Sequence, residues 1–163
     1  MSTAMQEWPR RHRITVEQYY RMGDVGLFAP DERVELIDGE IVDMAPIGAS
    51  HAYWVERLGT ALITALGSRA IVRTQLPVRL DSISEPQPDI AVVAPRADHF
   101  RSAHPTAADV LLLVEISRST LRFDREVKAP LYARNGVPEL WVVDANANEL
   151  HVHREPRDGV YTW

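Results

Sequence analysis

Apolar residues recur along this chain in two rhythms, period two and period 3.6, and the switches between them outline the elements. Residues 13–22 (RITVEQYYRM) read as a short helix with Thr15 as its N-cap. Gly23, Gly26 and Pro30 then make a loop. VELIDGEIVDM gives two short strands around Asp38-Gly39, a pair suited to the positive φ angles of a two-residue hairpin turn. In that register Leu36 opposes Ile41 and Glu35 opposes Val42. Glu35 then shares a mixed face with Ile37, Glu40 and Val42, compatible with solvent or with the edge of a cleft. Beyond Pro46 and Gly48, the residues Val55, Leu58, Leu62, Ala65 and Leu66 repeat at helical spacing. They predict a helix from His51 to about Leu66, capped by Ser50 and ended by Gly67. Strands are expected at residues 70–74 and 76–80.

Residues 90–93 read as a strand with Asp89 at its start. Residues 110–116 are nearly all apolar, as in a central strand covered on both faces. A helix over 125–135, ending at Gly136, separates this strand from another at 139–144. Strand, helix and strand form one crossover unit, so the two strands should be parallel and the crossover right-handed. Pro130 falls inside that helix. It removes a hydrogen bond and crowds the carbonyl of Glu126, so the helix should kink or start late. A loop at 145–148 leads into LHVHRE, where Leu150 and Val152 alternate with His151 and His153. There is no internal repeat and no sign of a second domain. The expectation is one α/β (α+β) domain over residues 1–163.

Composition narrows the chemistry. The chain has 163 residues, enough for a real core, with 45% hydrophobic and 25% charged residues. The lack of cysteine excludes disulfides, thiolate metal sites and thiol nucleophiles. MSTAMQEWPRRHR has no apolar segment after its charges, so it is not a signal peptide, and no apolar run approaches spanning length. A soluble, cytoplasmic protein without membrane partners is expected. The net charge of −5 argues against holding nucleic acid by a basic surface alone. Arg118, Arg122, Arg125, Lys128 and Arg134 make either a local basic patch or a solvated face balanced by Asp124 and Glu126. Lys128 is the one lysine among eighteen basic residues. Lysine is a compact point charge that a site can tune, and arginine is not.

Two carboxylates bear on that lysine. Asp89 opens one strand and Glu115 lies near the end of the next. If those strands are antiparallel neighbours, the carboxylates meet at one edge of the sheet. Glu115, in LLLVEI, costs several kilocalories per mole if buried without a partner. Two close carboxylates repel unless a cation sits between them. Magnesium takes oxygen ligands, often one or two carboxylates, and keeps waters that can become nucleophiles. A lysine beside it can orient that water or stabilise developing charge. These are the parts of a metal-dependent phosphodiesterase. Other signals are weaker. His151 and His153 lack a third ligand and read as a solvent face, and His99 and His104 lie in a polar loop. Ser117, Ser119 and Thr120 form no nucleophile elbow, and there is no phosphate-binding glycine loop.

The segments VELIDGEIV, the helix from His51, QPDIAVV, LLLVEIS, Asp124-x-x-x-Lys128 and YARNGVPELWVVD follow in an order that resembles the PD-(D/E)XK nuclease superfamily. More closely, they resemble the bacterial Uma-two family of candidate restriction endonucleases, over roughly residues 30–145. The resemblance implies a restriction-endonuclease-like core, a mixed sheet flanked by helices in the order αβββαβ, behind an N-terminal β-hairpin. A terminal β-hairpin over 139–163 would be cut short at Trp163. It implies a magnesium- or manganese-dependent endonuclease acting on DNA. Asp89, Glu115 and the main-chain carbonyl of Ile116 would be metal ligands, and Lys128 the catalytic lysine. The superfamily's usual lysine position, two residues after the acidic residue, is Ser117 here, so the lysine comes from the following helix. Glu35 and His51 would line the cleft, and Arg118, Arg122 and Arg125 would meet nucleic acid. The alternative is a catalytically inactive protein of the same fold that binds nucleic acid or another partner. A homodimer is a further option that no feature demands.

Overall fold

Thr15 starts the first helix as its sequence position suggests. It accepts the N–H of Gln18 at 3.2 Å, and the Gln18 side chain accepts the N–H of Thr15 at 2.8 Å. The structure is a computed structural model that describes residues 11–163; the first ten residues, on which the reading of the N-terminal segment largely falls, lie outside the described residues. Helix α1 spans Val16–Asp24. Strands β1 (Val34–Ile37) and β2 (Glu40–Asp43) form the expected hairpin, with Glu35 opposite Val42 and Leu36 opposite Ile41. Asp38 and Gly39 carry the turn with φ of 51° and 73°. All of β1 is buried, including Glu35 at 4% exposure, while Glu40 on the same face stays exposed, so that face runs from the cleft at Glu35 to solvent at Glu40.

Helix α2 spans Ala49–Leu66 and ends at Gly67, whose φ is 53°. It starts two residues before the expected His51, and Gly48 is the N-cap rather than Ser50. Gly48 takes the extended conformation at that position, so Ser50 is already helical and makes no capping bond. Strand β3 is Ile71–Thr74. No strand forms over residues 76–80. Pro77 interrupts that segment, and Val78 and Leu80 donate their N–H groups to Pro86 and Ser84 of the returning chain. Its apolar side chains, Val78 and Leu80, still enter the core.

Strands β4 (Ile90–Val93), β5 (Val110–Ser117), β6 (Glu139–Asp144) and β7 (Glu149–Arg154) complete a five-stranded sheet in the order β3-β4-β5-β6-β7. Only β5 and β6 are parallel. Residues Pro156–Arg157 (β8) and Val160–Tyr161 (β9) form a separate small hairpin. Ile90, Val92, Leu112, Val114 and Ile116 pack on one face against Val55, Leu58, Leu62 and Leu66 of α2. Ala91, Val93, Leu113, Leu140 and Val142 pack on the other, against Ala129, Leu131 and Tyr132 of the next helix. This matches the core order αβββαβ.

That next helix, α3, departs from expectation at its start. It runs through Leu121–Phe123, a π-helical turn Asp124–Lys128, and Ala129–Arg134. It begins earlier than residue 125, and Pro130 does not delay it. The widened turn absorbs the proline: Ala129 donates to Asp124 five residues back, and Pro130 has no N–H to place. The wider turn also leaves both Asp124 and Lys128 buried on one side, at 4% and 5% exposure. The histidine face of β7 is half-buried rather than open to solvent, with the His153 ring 5.9 Å from that of Tyr161. Among the described residues no helix is long and apolar enough to cross a membrane.

Candidate active site

Strands β4 and β5 set the centre of the site. Ile90 pairs with Val114, so the next step of the antiparallel register puts Asp89 across from Glu115. Opposed residues share a face. That is the face covered by α3, because Ala91 and Leu113, two residues along each strand, pack on α3. Asp89 is fixed through both oxygens. Its Oδ2 accepts the N–H of Ile116 at 2.8 Å, and its Oδ1 lies 2.7 Å from His51 Nε2 in the first turn of α2. With Nε2 carrying its proton, His51 is the donor in this bond and Asp89 Oδ1 the acceptor. The hydrogen bond to Asp89 raises the His51 pKa against the opposing effect of burial.

Glu115 is buried, and one of its oxygens takes two donors. Oε1 accepts from the Tyr132 hydroxyl at 2.5 Å and from Lys128 Nζ at 3.2 Å. Oε2 takes no hydrogen bond from any described residue. Burial pushes the Glu115 pKa well above the ordinary glutamate value; Lys128 opposes this, while Asp124, Asp89 and Glu35 add to it. Lys128 also lies 3.0 Å from Glu35 Oε1, and Glu35 Oε2 accepts the N–H of Gln87. Burial alone would lower the Lys128 pKa. Glu115 and Glu35 outweigh it, together with Asp124, and hold the ammonium charged.

These groups line one cavity of about 610 Å³. Its wall includes Glu35, His51, Asp89, Glu115, Ile116, Asp124 and Lys128, with Arg118 from the β5–α3 connection. So Asp89, Glu115, Lys128, Glu35 and His51 come together. Arg122 and Arg125 do not join them: both are exposed on α3 outside the lining, and Arg122 pairs with Glu126 at 2.9 Å.

Two participants escaped the sequence reading. In the sequence Asp124 stands in the Asp124-x-x-x-Lys128 segment without a role of its own and, on one of two readings of the arginine patch, as a surface counter-charge. It turns inward instead, where its Oδ2 accepts from Ser117 at 2.6 Å and Thr120 at 2.7 Å. Tyr132 drew no expectation at all. The spacing carried a signal for both, because positions 124, 128 and 132 stand four apart on one helix face.

The donors suit a hard divalent cation. The lining holds five acidic side chains (Glu35, Asp43, Asp89, Glu115 and Asp124) against three arginine or lysine side chains (Arg33, Arg118 and Lys128) and His51, so it is rich in oxygen donors. Among the described residues no three His, Asp or Glu side chains stand close enough to hold a metal by themselves. Magnesium does not require that: one or two carboxylates suffice when waters and phosphate oxygens complete the shell. Asp89 and Glu115 fit that description, with Glu115 Oε2 still free of donors.

The chain was compared with known proteins. No curated protein matches it. Among solved structures it is similar to a protein titled "putative nuclease belonging to DUF820" from Anabaena variabilis ATCC 29413. The two share 16% identity over 88% of this chain and 86% of that chain, with a TM-score of 0.62, a likeness of fold. Residues 16–163 match the Uma2 family, described as "Putative restriction endonuclease". That match takes in every residue lining the cavity, and this chain belongs to the Uma2 family.

Proposed function

We propose that this protein is a metal-dependent endonuclease that hydrolyses phosphodiester bonds in DNA. Magnesium or manganese would be held by Asp89, Glu115 and the main-chain carbonyl of Ile116. The observation that carries the reading is the carboxylate-rich cavity lining, in which the buried Glu115 keeps one oxygen without a donor. Carboxylates in such a lining repel a phosphate that arrives without a cation.

In the hydrolysis, a water oxygen bonds to phosphorus, one P–O ester bond breaks, and the proton ends on the leaving oxygen. A bound divalent cation supplies neutralisation of phosphate charge and a more acidic water. The protein's own part is orientation. His51 and the Ile116 N–H hold Asp89 in one rotamer. Lys128 has three N–H donors. Glu115 and Glu35 engage two, which leaves one for the attacking water or a phosphate oxygen. Arg118 is assigned a flanking phosphate because it lines the cavity; Arg122 and Arg125, outside it, are assigned none.

A second reading is a binding protein that keeps the fold without the chemistry. The double ion pair of Lys128 favours it, since a lysine so engaged also serves simply to neutralise two buried carboxylates. The separating experiment incubates the protein with single- and double-stranded DNA in magnesium, in manganese and in chelator. Metal-dependent strand breaks support the nuclease. Intact DNA with every metal supports the binding protein.

A further inference from the structure

Tyr132 is fully buried in α3, yet its hydroxyl is not spent on the backbone. It donates to Glu115 Oε1 at 2.5 Å. Lys128, one helical turn earlier, donates to the same oxygen at 3.2 Å. Two donors from one helix face therefore grip one oxygen of one carboxylate. Oε2 takes no donor among the described residues. Turning the carboxylate out of this orientation would break both bonds at once.

We propose that Tyr132 is a positioning residue for Glu115: its hydroxyl fixes the orientation in which the carboxylate is presented to the metal. This rests on the metal-dependent reading above and adds a specific group to it. The bland alternative is a buried tyrosine that has merely found an acceptor. The two differ in what Tyr132→Phe does, because phenylalanine keeps the ring and removes only the oxygen.

The test is calorimetric titration of manganese into the metal-free protein and into Tyr132→Phe, with melting followed in parallel. Loss of an orienting partner of a metal ligand typically weakens metal affinity about 10- to 100-fold. The expected result is a loss of that size in Tyr132→Phe, with its helical content unchanged. In a Glu115→Gln background the same change should cost no further metal affinity, because the ligand it positions is already gone. Equal manganese affinity in parent and Tyr132→Phe overturns the inference while leaving the metal reading intact. A parent that binds no manganese overturns both. If Tyr132→Phe does not fold, the double variant Glu115→Gln with Tyr132→Phe decides. It removes a buried charge together with its donor, so folding should return if the hydroxyl serves that charge. A double variant that stays unfolded overturns the inference, since the hydroxyl then serves something other than the Glu115 carboxylate.

Discussion

Lys128 Nζ lies 3.0 Å from Glu35 Oε1, and this contact ties α3 to the N-terminal hairpin across the candidate site. Both side chains are buried. The same ammonium faces Glu115 at 3.2 Å. Lys128→Met therefore strips the cation from two buried carboxylates. Breaking a buried ion pair by removing one partner costs about 3–5 kcal/mol. The expected result is a clearly lower melting temperature in the metal-free protein. Lys128→Arg keeps the charge but puts a wide planar fork where a compact ammonium reaches Glu35 and Glu115. Metal binding and DNA binding should survive, while cleavage falls by about a hundredfold to a thousandfold. Single-turnover rates measured beside binding isotherms check both halves.

Glu115→Gln should act in the opposite sense on stability. Burial raises the Glu115 pKa well above its unfolded value, so folding disfavours the ionised form and the folded state is weakened as pH rises above the unfolded value. Glutamine removes that penalty, keeps an acceptor for Tyr132, and leaves Lys128 paired with Glu35. In chelator near neutral pH, the Glu115→Gln protein should melt at or above the temperature of the parent. With manganese present the order should reverse, because only the parent gains from binding.

A second pH effect lies far from the cavity. Glu139 and Arg154 are opposed on β6 and β7, and the side-chain hydrogen bond from Arg154 lowers the Glu139 pKa. A depressed folded pKa adds stability above the unfolded value of about 4.3 and loses it as pH falls through the folded value. Melting temperatures of the parent and Glu139→Gln should therefore stay apart above about pH 5 and converge as pH falls through the lowered folded value. Parallel curves over that range would assign the bond no net worth.

Gly39 sets the position of Glu35 through the hairpin turn. Its φ is 73°, and an added Cβ would stand 2.5 Å from Cβ of Arg13. Gly39→Ala meets both backbone strain and a clash, so it should cost about 1–3 kcal/mol. Chemical denaturation checks this. A neutral outcome would mean that the segment around Arg13 yields freely.

The reading of the chain recovered the elements whose periodicity is local. The hairpin register around Asp38-Gly39, the α2 stripe of Val55, Leu58 and Leu62, and the apolar β5 were legible because each carries its pattern within a few residues. Asp89 beside Glu115 was legible because two consecutive antiparallel strands fix which ends meet. Three features were not. The π-helical turn depends on how α3 reconciles Pro130 with the burial of Asp124 and Lys128, a tertiary demand. Residues 76–80 resemble a strand in apolar content, but their N–H groups go to loop carbonyls, and no side-chain pattern reports that. The burial of Glu35 depends on contacts with Gln87 and Lys128, distant in sequence.

The most direct measurement is plasmid cleavage by the parent and by Asp89→Asn at the same magnesium concentration, with folding of both verified by melting. Asparagine is nearly isosteric and removes only the charge that would hold the cation. The expected result is nicking by the parent that stops in chelator, and none above background by the folded Asp89→Asn protein. Equal cleavage by the two proteins, or intact plasmid with the parent in both magnesium and manganese, would contradict a metal-dependent nuclease centred on Asp89 and Glu115.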